Sequence, residues 1–215
     1  MQFTVLTGDI VRSSALPPAE LDAIAKTLDA AVSEMSGWGD GADLPVTGFR
    51  RRGGDGWQAA LSHQFSPLRA ALYVRACVKA LHKQADTRIA VATGDGTLPD
   101  NGDTNAAHGE AFTQSGRLLE NMKGPARLAF AVQGAPQAAF VLADHIATGW
   151  TQAQARAMAL MLVPKAGTRA EAAERLGISR QAVDQALRAA GFSAIDAALR
   201  TIEGATDNTS QSSAS

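Results

Sequence analysis

The stretch RRGGDGWQAAL, residues 51–61, reads as the end of one β-strand, a tight reversal and the start of a second strand. Gly53 and Gly54 permit the reversal, because glycine adopts backbone angles that other residues avoid. The resulting hairpin leaves Asp55 at its tip. An aspartate in a turn often bonds only its own backbone, so this position alone does not establish a binding site.

A second acid, Asp9, stands near the end of the first apolar run, FTVLTGDIV at residues 3–11. The shortness and β-prone composition of this run predict a buried strand. Two carboxylates at the ends of neighbouring strands suit a hard cation such as Mg²⁺, which takes carboxylate, carbonyl, water and phosphate oxygens. Without a cation the acids would repel each other, and one would tend to hold a proton. The sequence therefore predicts that Asp9 and Asp55 form one site.

The whole chain has the composition of a globular protein, with 215 residues, 46% hydrophobic and 19% charged. No apolar run approaches the roughly 18 residues of a membrane span, and the N-terminus lacks the residue order of a signal peptide. A cytoplasmic protein without membrane contact is expected. The only cysteine, Cys77, excludes an internal disulfide and a cysteine-rich zinc site. With a formal net charge of −1, any DNA binding must come from local charge.

Four short blocks, in this order, resemble the class III nucleotidyl cyclases. TGDIV at residues 7–11 resembles their first metal motif, and RGGD at 52–55 resembles both their second metal motif and the GGD signature of diguanylate cyclases. RIAVATG at 88–94 and GEAFTQSGRL at 109–118 resemble a later strand and the catalytic helix. The resemblance covers roughly residues 1–135. Together with the C-terminal pattern described below, it is similar to that of the bacterial SatD-type proteins.

This resemblance implies an α+β fold with a ferredoxin-like sheet, as in cyclase and palm domains, and helices on one face. It also implies a homodimer, with Mg²⁺ or Mn²⁺ as cofactor at Asp9, Ile10 and Asp55. The residues implied in nucleotide binding are Arg12, Ser13, Ser14, Arg51, Gly53 and Gly54. Alternate residues of a strand point to opposite faces, so the sequence leaves open which of the arginines at 50–52 faces the site.

The block at residues 109–118 departs from the cyclase pattern. Arg117 lies one helical turn beyond Thr113 and shares its face. In the family, an asparagine and an arginine at these places stabilise developing phosphate charge across a homodimer, and here Thr113 replaces the asparagine. Ala106 stands near the position where the family has a purine-reading aspartate, and alanine cannot read the purine. Gly56 replaces the glutamate of diguanylate cyclases. These departures predict impaired catalysis without loss of binding.

A second, all-α domain is predicted after residue 150. Thr168 starts one helix, Gly177 lies in a three-residue turn, and a second helix follows, which closely resembles the bacterial helix-turn-helix. The small or inward-facing positions are expected to be Ala173, Ile178, Val183 and Leu187. The exposed candidates for DNA contact are Ser179, Arg180, Gln181, Asp184, Gln185 and Arg188. Residues 164–203 carry six Lys and Arg against five Asp and Glu, so a monomer should bind DNA weakly, and a role in protein contact alone stays open.

The predicted organisation is a cyclase-like domain at 1–135, a connecting helix at 136–150, a helix-turn-helix domain at 151–203 and a disordered tail at 204–215. It favours a DNA-binding transcriptional regulator whose cyclase-like domain binds a nucleotide with a metal ion and dimerises. The alternative is an active nucleotidyl cyclase that converts a nucleoside triphosphate into a cyclic nucleotide and pyrophosphate. A third possibility is a degenerate palm domain that only dimerises.

Overall fold

The structure, a computed structural model, describes residues 1–39, 46–62 and 66–212. Within these residues the strands are β1 (Gln2–Ile10), β2 (Thr47–Arg52), β3 (Gly56–Ser62), β4 (Thr87–Thr97), β5 (His108–Gly109) and β6 (Leu128–Phe130). The α-helices are α1 (Pro18–Met35), α2 (Pro67–Leu81), α3 (Glu110–Asn121), α4 (Ala135–Thr148), α5 (Gln152–Met161), α6 (Arg169–Leu176), α7 (Arg180–Ala189) and α8 (Phe192–Ser212). None of the described helices is both long enough and apolar enough to span a membrane.

The sheet has the strand order β2-β3-β1-β4, and β5 and β6 both pair with β4. β1 runs antiparallel to both of its neighbours, β3 and β4, and β2 runs antiparallel to β3. The helix α1 connects β1 to β2, and α2 connects β3 to β4. This is the split βαβ arrangement of the ferredoxin-like fold. The predicted α+β fold class is confirmed.

The central strand β1 is buried on both faces, which explains its nearly continuous apolar sequence. Leu6 and Ile10 point into the main core, which α1 and α2 share. Phe3 and Val5 point to the other face, where they pack in a smaller cluster with Phe112 of α3. The two crossover helices therefore lie on one face of the sheet, and α3 covers part of the opposite face.

The C-terminal helices share the main core with the sheet. Residues of α2 and of α5 to α8 belong to one continuous apolar cluster. Polar contacts join the same elements, since Arg69 of α2 pairs with Glu203 of α8 at 2.6 Å and donates to the Leu162 carbonyl at 2.9 Å. At the other end of α2, the side-chain amide of Gln152 donates to the Leu81 carbonyl at 2.6 Å.

The helices α6 and α7 are joined by a short turn in which Gly177 has φ of 65°. A capping box starts α6, and the Ser179 hydroxyl caps α7 by accepting from the Ala182 amide. As predicted, Ala173, Val183 and Leu187 are buried. The expectation for Ile178 is wrong, because this residue is 45% exposed. Ile178 lies in the turn rather than in a helix, and its amide bonds the Ala173 carbonyl, so its side chain does not follow the inward face.

Helix α8 continues to Ser212, into the segment for which composition predicts disorder. Adding a turn to a helix that is already formed costs far less than starting one, and the packed first turns of α8 provide that start. Of the predicted tail, residues 213–215 lie outside the described residues. So do residues 40 and 41 of the sequence GWGDG at 37–41, whose glycines predict a loop after α1.

Candidate functional site

Asp9 and Asp55 lie side by side at one end of the sheet. Asp9 pairs with Gly56 in the β1–β3 ladder, and the amide of Ile10 donates to the backbone carbonyl of Asp55 at 3.1 Å. Gly53, with φ of 65°, permits the turn that carries Asp55. The structure thus brings the two predicted acids and Ile10 together.

An unpredicted residue, Arg88, binds the first of these acids. Arg88 lies directly opposite Asp9 in the β1–β4 ladder. Its Nε donates to Asp9 Oδ1 at 2.8 Å, and its Nη2 contacts Asp9 Oδ2. The hydrogen bond to Asp9 raises the pKa of Arg88, and the charges of Asp9 and Asp55 act in the same direction. Both carboxylate oxygens of Asp9 therefore already have a cationic partner.

The turn after β1 contacts the second acid. The Ser13 hydroxyl donates to Asp55 Oδ2, and Arg12 has φ of 56° and ψ of 34°, a left-handed conformation. Within the described part of the chain, the amides of Ser13 and Ser14 donate to no backbone carbonyl. A left-handed residue followed by helical ones aims successive amides into a small concavity that suits an anion. Of the residues predicted to bind nucleotide, Ser13 thus touches Asp55, and Arg12 and Ser14 flank it.

Hydrogen bonds and close packing fix the backbone around Asp9. Thr87 Oγ1 donates to the Asp9 carbonyl at 2.7 Å and accepts from the Trp57 indole at 2.9 Å. The amide of Val11 donates to the Asp86 carbonyl at 3.0 Å. A Cβ on Gly8 would stand 2.4 Å from the Arg88 carbonyl oxygen. The site is therefore built on rigid backbone.

The register resolves which arginines of β2 share a face with Asp9. Arg52 pairs with Gly56, which pairs with Asp9, so Arg52 is on the side of the acids. Arg50 lies on the same side, where it pairs with Asp103 at 3.3 Å. The structure does not bring Arg51 to the acids. It points to the opposite face and binds Asp22 of α1 at 2.7 Å.

Thr113 and Arg117 are exposed on the outer side of α3. The inner side carries Ser115, whose hydroxyl bonds that of Thr7 at 2.8 Å. Within one chain, therefore, the structure does not bring the two predicted catalytic residues to Asp9 and Asp55. They are available to a second chain. Ala106 is exposed as well.

The metal ligands available beside the hairpin, the carboxylates of Asp9 and Asp55, provide only part of what a divalent cation needs. Among the described residues, no three His, Cys, Asp or Glu side chains lie close enough to form a metal site. Mg²⁺ is usually held by one or two carboxylates together with substrate phosphates and waters, which Asp9, Asp55 and a bound phosphate would satisfy. Arg88 must then release at least one oxygen of Asp9.

The helix α7 offers a second candidate surface. Arg180, Gln181, Gln185 and Arg188 are exposed along it. The other two predicted residues have roles within the fold: the Ser179 hydroxyl caps α7, and Asp184 is half-buried and binds Arg169 of α6 at 2.7 Å.

No protein family and no curated protein sequence matches the chain. Among solved structures, a bacterial light-regulated adenylyl cyclase matches with 17% identity and a TM-score of 0.44 over 62% of this chain and 45% of its own. The guanylyl cyclase Cya2 matches with 14% identity and a TM-score of 0.41 over 60% of this chain and 74% of its own. The match to the first spans less than half of that protein. At these TM-scores the likeness assigns no activity, and the fold assignment rests on the strand order and pairing described above.

Proposed function

We propose that this protein is a cytoplasmic, homodimeric transcriptional regulator that senses a nucleotide. In this proposal, a nucleotide with Mg²⁺ or Mn²⁺ binds between Asp9, Asp55 and the turn at 12–14, and α7 binds DNA. The observation that carries the proposal is that both acids lie at one end of the sheet, beside a turn whose amides at Ser13 and Ser14 donate to no backbone carbonyl of the described chain.

The chemistry of the candidate site favours a phosphate-bearing ligand. The amides of Ser13 and Ser14 and the hydroxyl of Ser14 are donors, and the guanidinium of Arg88 is suited to a phosphate because its donors form a planar fork. The carboxylates of Asp9 and Asp55 would otherwise repel an anion, so they require a cation between them and the phosphate. When bound, the metal ion would neutralise phosphate charge.

The exposed side chains of α7 favour a DNA partner over a protein partner. Arginine and glutamine can form paired hydrogen bonds with the edges of guanine and adenine in the major groove, and α7 exposes Arg180, Gln181, Gln185 and Arg188. Because the local charge is nearly balanced, one copy would neutralise few phosphates. A dimer with two such helices would double these contacts.

An active nucleotidyl cyclase is the second candidate. Both acids are present together, and the exposed positions of Thr113 and Arg117 would allow them to complete the site of a second copy. The replacements Thr113, Ala106 and Gly56 count against turnover. A palm domain that only dimerises is the third candidate, and it assigns no ligand to the acids.

One experiment separates the three candidates. The purified protein is incubated with Mg²⁺ or Mn²⁺ and each of ATP, GTP, CTP and UTP, while cyclic product, pyrophosphate and the melting temperature are measured. We expect one nucleotide to raise the melting temperature without product, and Asp55→Asn to lose this effect. Asp95→Asn, at an exposed position on the same sheet, is the control and should behave like the wild type. Product that disappears in Asp55→Asn would establish a cyclase, and no response to any nucleotide would leave the dimerisation role.

A second measurement, of nucleotide affinity with and without bound DNA, tests whether nucleotide binding is coupled to DNA binding. If the ligand controls DNA binding, its affinity must differ between DNA-bound and free protein, because linkage is reciprocal. Equal affinities in the two states would contradict a sensor role even if both ligands bind.

A further inference from the structure

The candidate metal site already contains a positive charge, the guanidinium of Arg88. Arg88 and Asp9 face each other across β1 and β4, and Nε and Nη2 of Arg88 each donate to a different carboxylate oxygen of Asp9. The Arg88 side chain is 32% exposed and that of Asp9 is 21% exposed. Paired hydrogen bonds of this kind are directional as well as charged. Arg88 therefore competes with a metal ion for the carboxylate of Asp9.

A third contact limits how Arg88 can move. Its Nη1 donates to the carbonyl of Met122, just after α3, at 3.3 Å. The guanidinium is thus held between the end of α3 and the two acids. A divalent cation at Asp9 would stand against a fixed positive charge at short distance, where like charges repel strongly.

We propose that Arg88 is the counter-ion that excludes a divalent metal from Asp9 and Asp55 until a polyphosphate is present. This inference rests on the proposed nucleotide site and assigns its order of loading. A phosphate group accepts from the Arg88 guanidinium, which frees a carboxylate oxygen of Asp9 for the metal. Metal and nucleotide therefore bind together, and the metal alone binds weakly.

The inference is tested by direct measurement of Mn²⁺ binding with electron paramagnetic resonance, which separates free, nucleotide-bound and protein-bound Mn²⁺. In the absence of nucleotide, Arg88→Gln should bind Mn²⁺ at least about tenfold more tightly than the wild type, because a neutral side chain no longer opposes the cation. Adding Asp9→Asn to this variant should remove the gain. Arg200→Gln is the matched control, since the exposed Arg200 also binds one aspartate, Asp196 at 2.9 Å, away from the site, and its Mn²⁺ affinity should equal that of the wild type.

The outcomes distinguish this inference from the proposed function. If Arg88→Gln binds Mn²⁺ no better than the wild type while its circular dichroism is unchanged, the counter-ion role is overturned, whether or not the wild type binds Mn²⁺ with ATP. If the variant gains Mn²⁺ binding but the wild type shows no protein-bound Mn²⁺ with any nucleoside triphosphate, Arg88 excludes the metal, but the polyphosphate-dependent loading is overturned and the nucleotide proposal fails with it. Should Arg88→Gln not fold, Arg88→Met keeps the apolar stem and carries the same test.

Discussion

Gly8 lies at a point of β1 where the sheet leaves no room for a side chain. A Cβ there would stand 2.4 Å from both the Arg88 carbonyl oxygen and the Trp57 ring. We expect Gly8→Ala to lower the free energy of unfolding by about 1–3 kcal/mol, the usual cost of overpacking, and to displace Asp9, its neighbour in sequence. Urea denaturation measures the first effect.

The matched control for this change is Gly116→Ala. Gly116 is in the middle of α3, and a Cβ there would meet no atom within 4 Å. Alanine in a helix is more favourable than glycine by roughly 0.5–1 kcal/mol, so this variant should be slightly more stable than the wild type. A similar loss in both variants would contradict the steric account of Gly8.

Cys77 is a residue whose ionisation affects stability at alkaline pH. Burial is the main cause that raises the pKa of the thiol from 9.0 to about 12. Between these values the unfolded chain loses the thiol proton and the folded chain keeps it, so the free energy of unfolding falls as pH rises. Burial also raises the pKa of Tyr73 and acts in the same direction at higher pH, whereas the lowered pKa of Lys79 acts in the opposite direction.

We therefore expect the wild type to lose stability more steeply than Cys77→Ala when the pH is raised from about 9 to about 10. Chemical denaturation at a series of pH values measures the two slopes. Parallel slopes would show that the thiol ionises as easily in the folded protein as in the unfolded chain.

Among the elements, α2 carries the most deeply buried charged side chain in the described part of the chain. Arg75 is fully buried and binds Asp86 at 2.9 Å and Asp144 of α4 at 2.6 Å. Replacing it leaves the buried Asp144 and the half-buried Asp86 without their arginine partner, so Arg75→Met should cost about 3–5 kcal/mol. Arg51→Met breaks the exposed pair with Asp22 and should cost less than about 1 kcal/mol. Urea denaturation of both variants compares them, and equal losses would contradict the importance of burial.

The elements themselves were largely predictable from local patterns. The apolar spacing and Pro18 indicate α1, and the glycines at 53 and 54 indicate the hairpin, because these signals act over a few residues. The pairing of Asp9 with Arg88 was not predicted, since it depends on the register of two strands that are 79 residues apart. The same register places Arg51 on the face away from the acids. Cross-strand preference for opposite charges is the one sequence signal that could have suggested Arg88.

At the scale of the whole molecule, the sheet and the C-terminal helices should unfold as one unit. They share an apolar cluster, and the Trp150 indole, between α4 and α5, donates to the Ala190 carbonyl at the end of α7 at 2.9 Å. We expect far-ultraviolet circular dichroism and tryptophan fluorescence to give coincident denaturation curves, the usual sign of two-state unfolding. Two separated transitions would indicate that the helices form an independent domain.

The position of α2 also bears on how such a chain can evolve. One side of this helix completes the sheet's core, and its two ends are bound by Glu203 and by Gln152. A recombination event that joined these C-terminal helices to another sheet would leave those contacts unmatched unless α2 moved with them. A segment that keeps the contacts of these C-terminal helices must therefore include α2, and because α2 also packs against the sheet, that segment cannot be separated from the sheet without breaking contacts there.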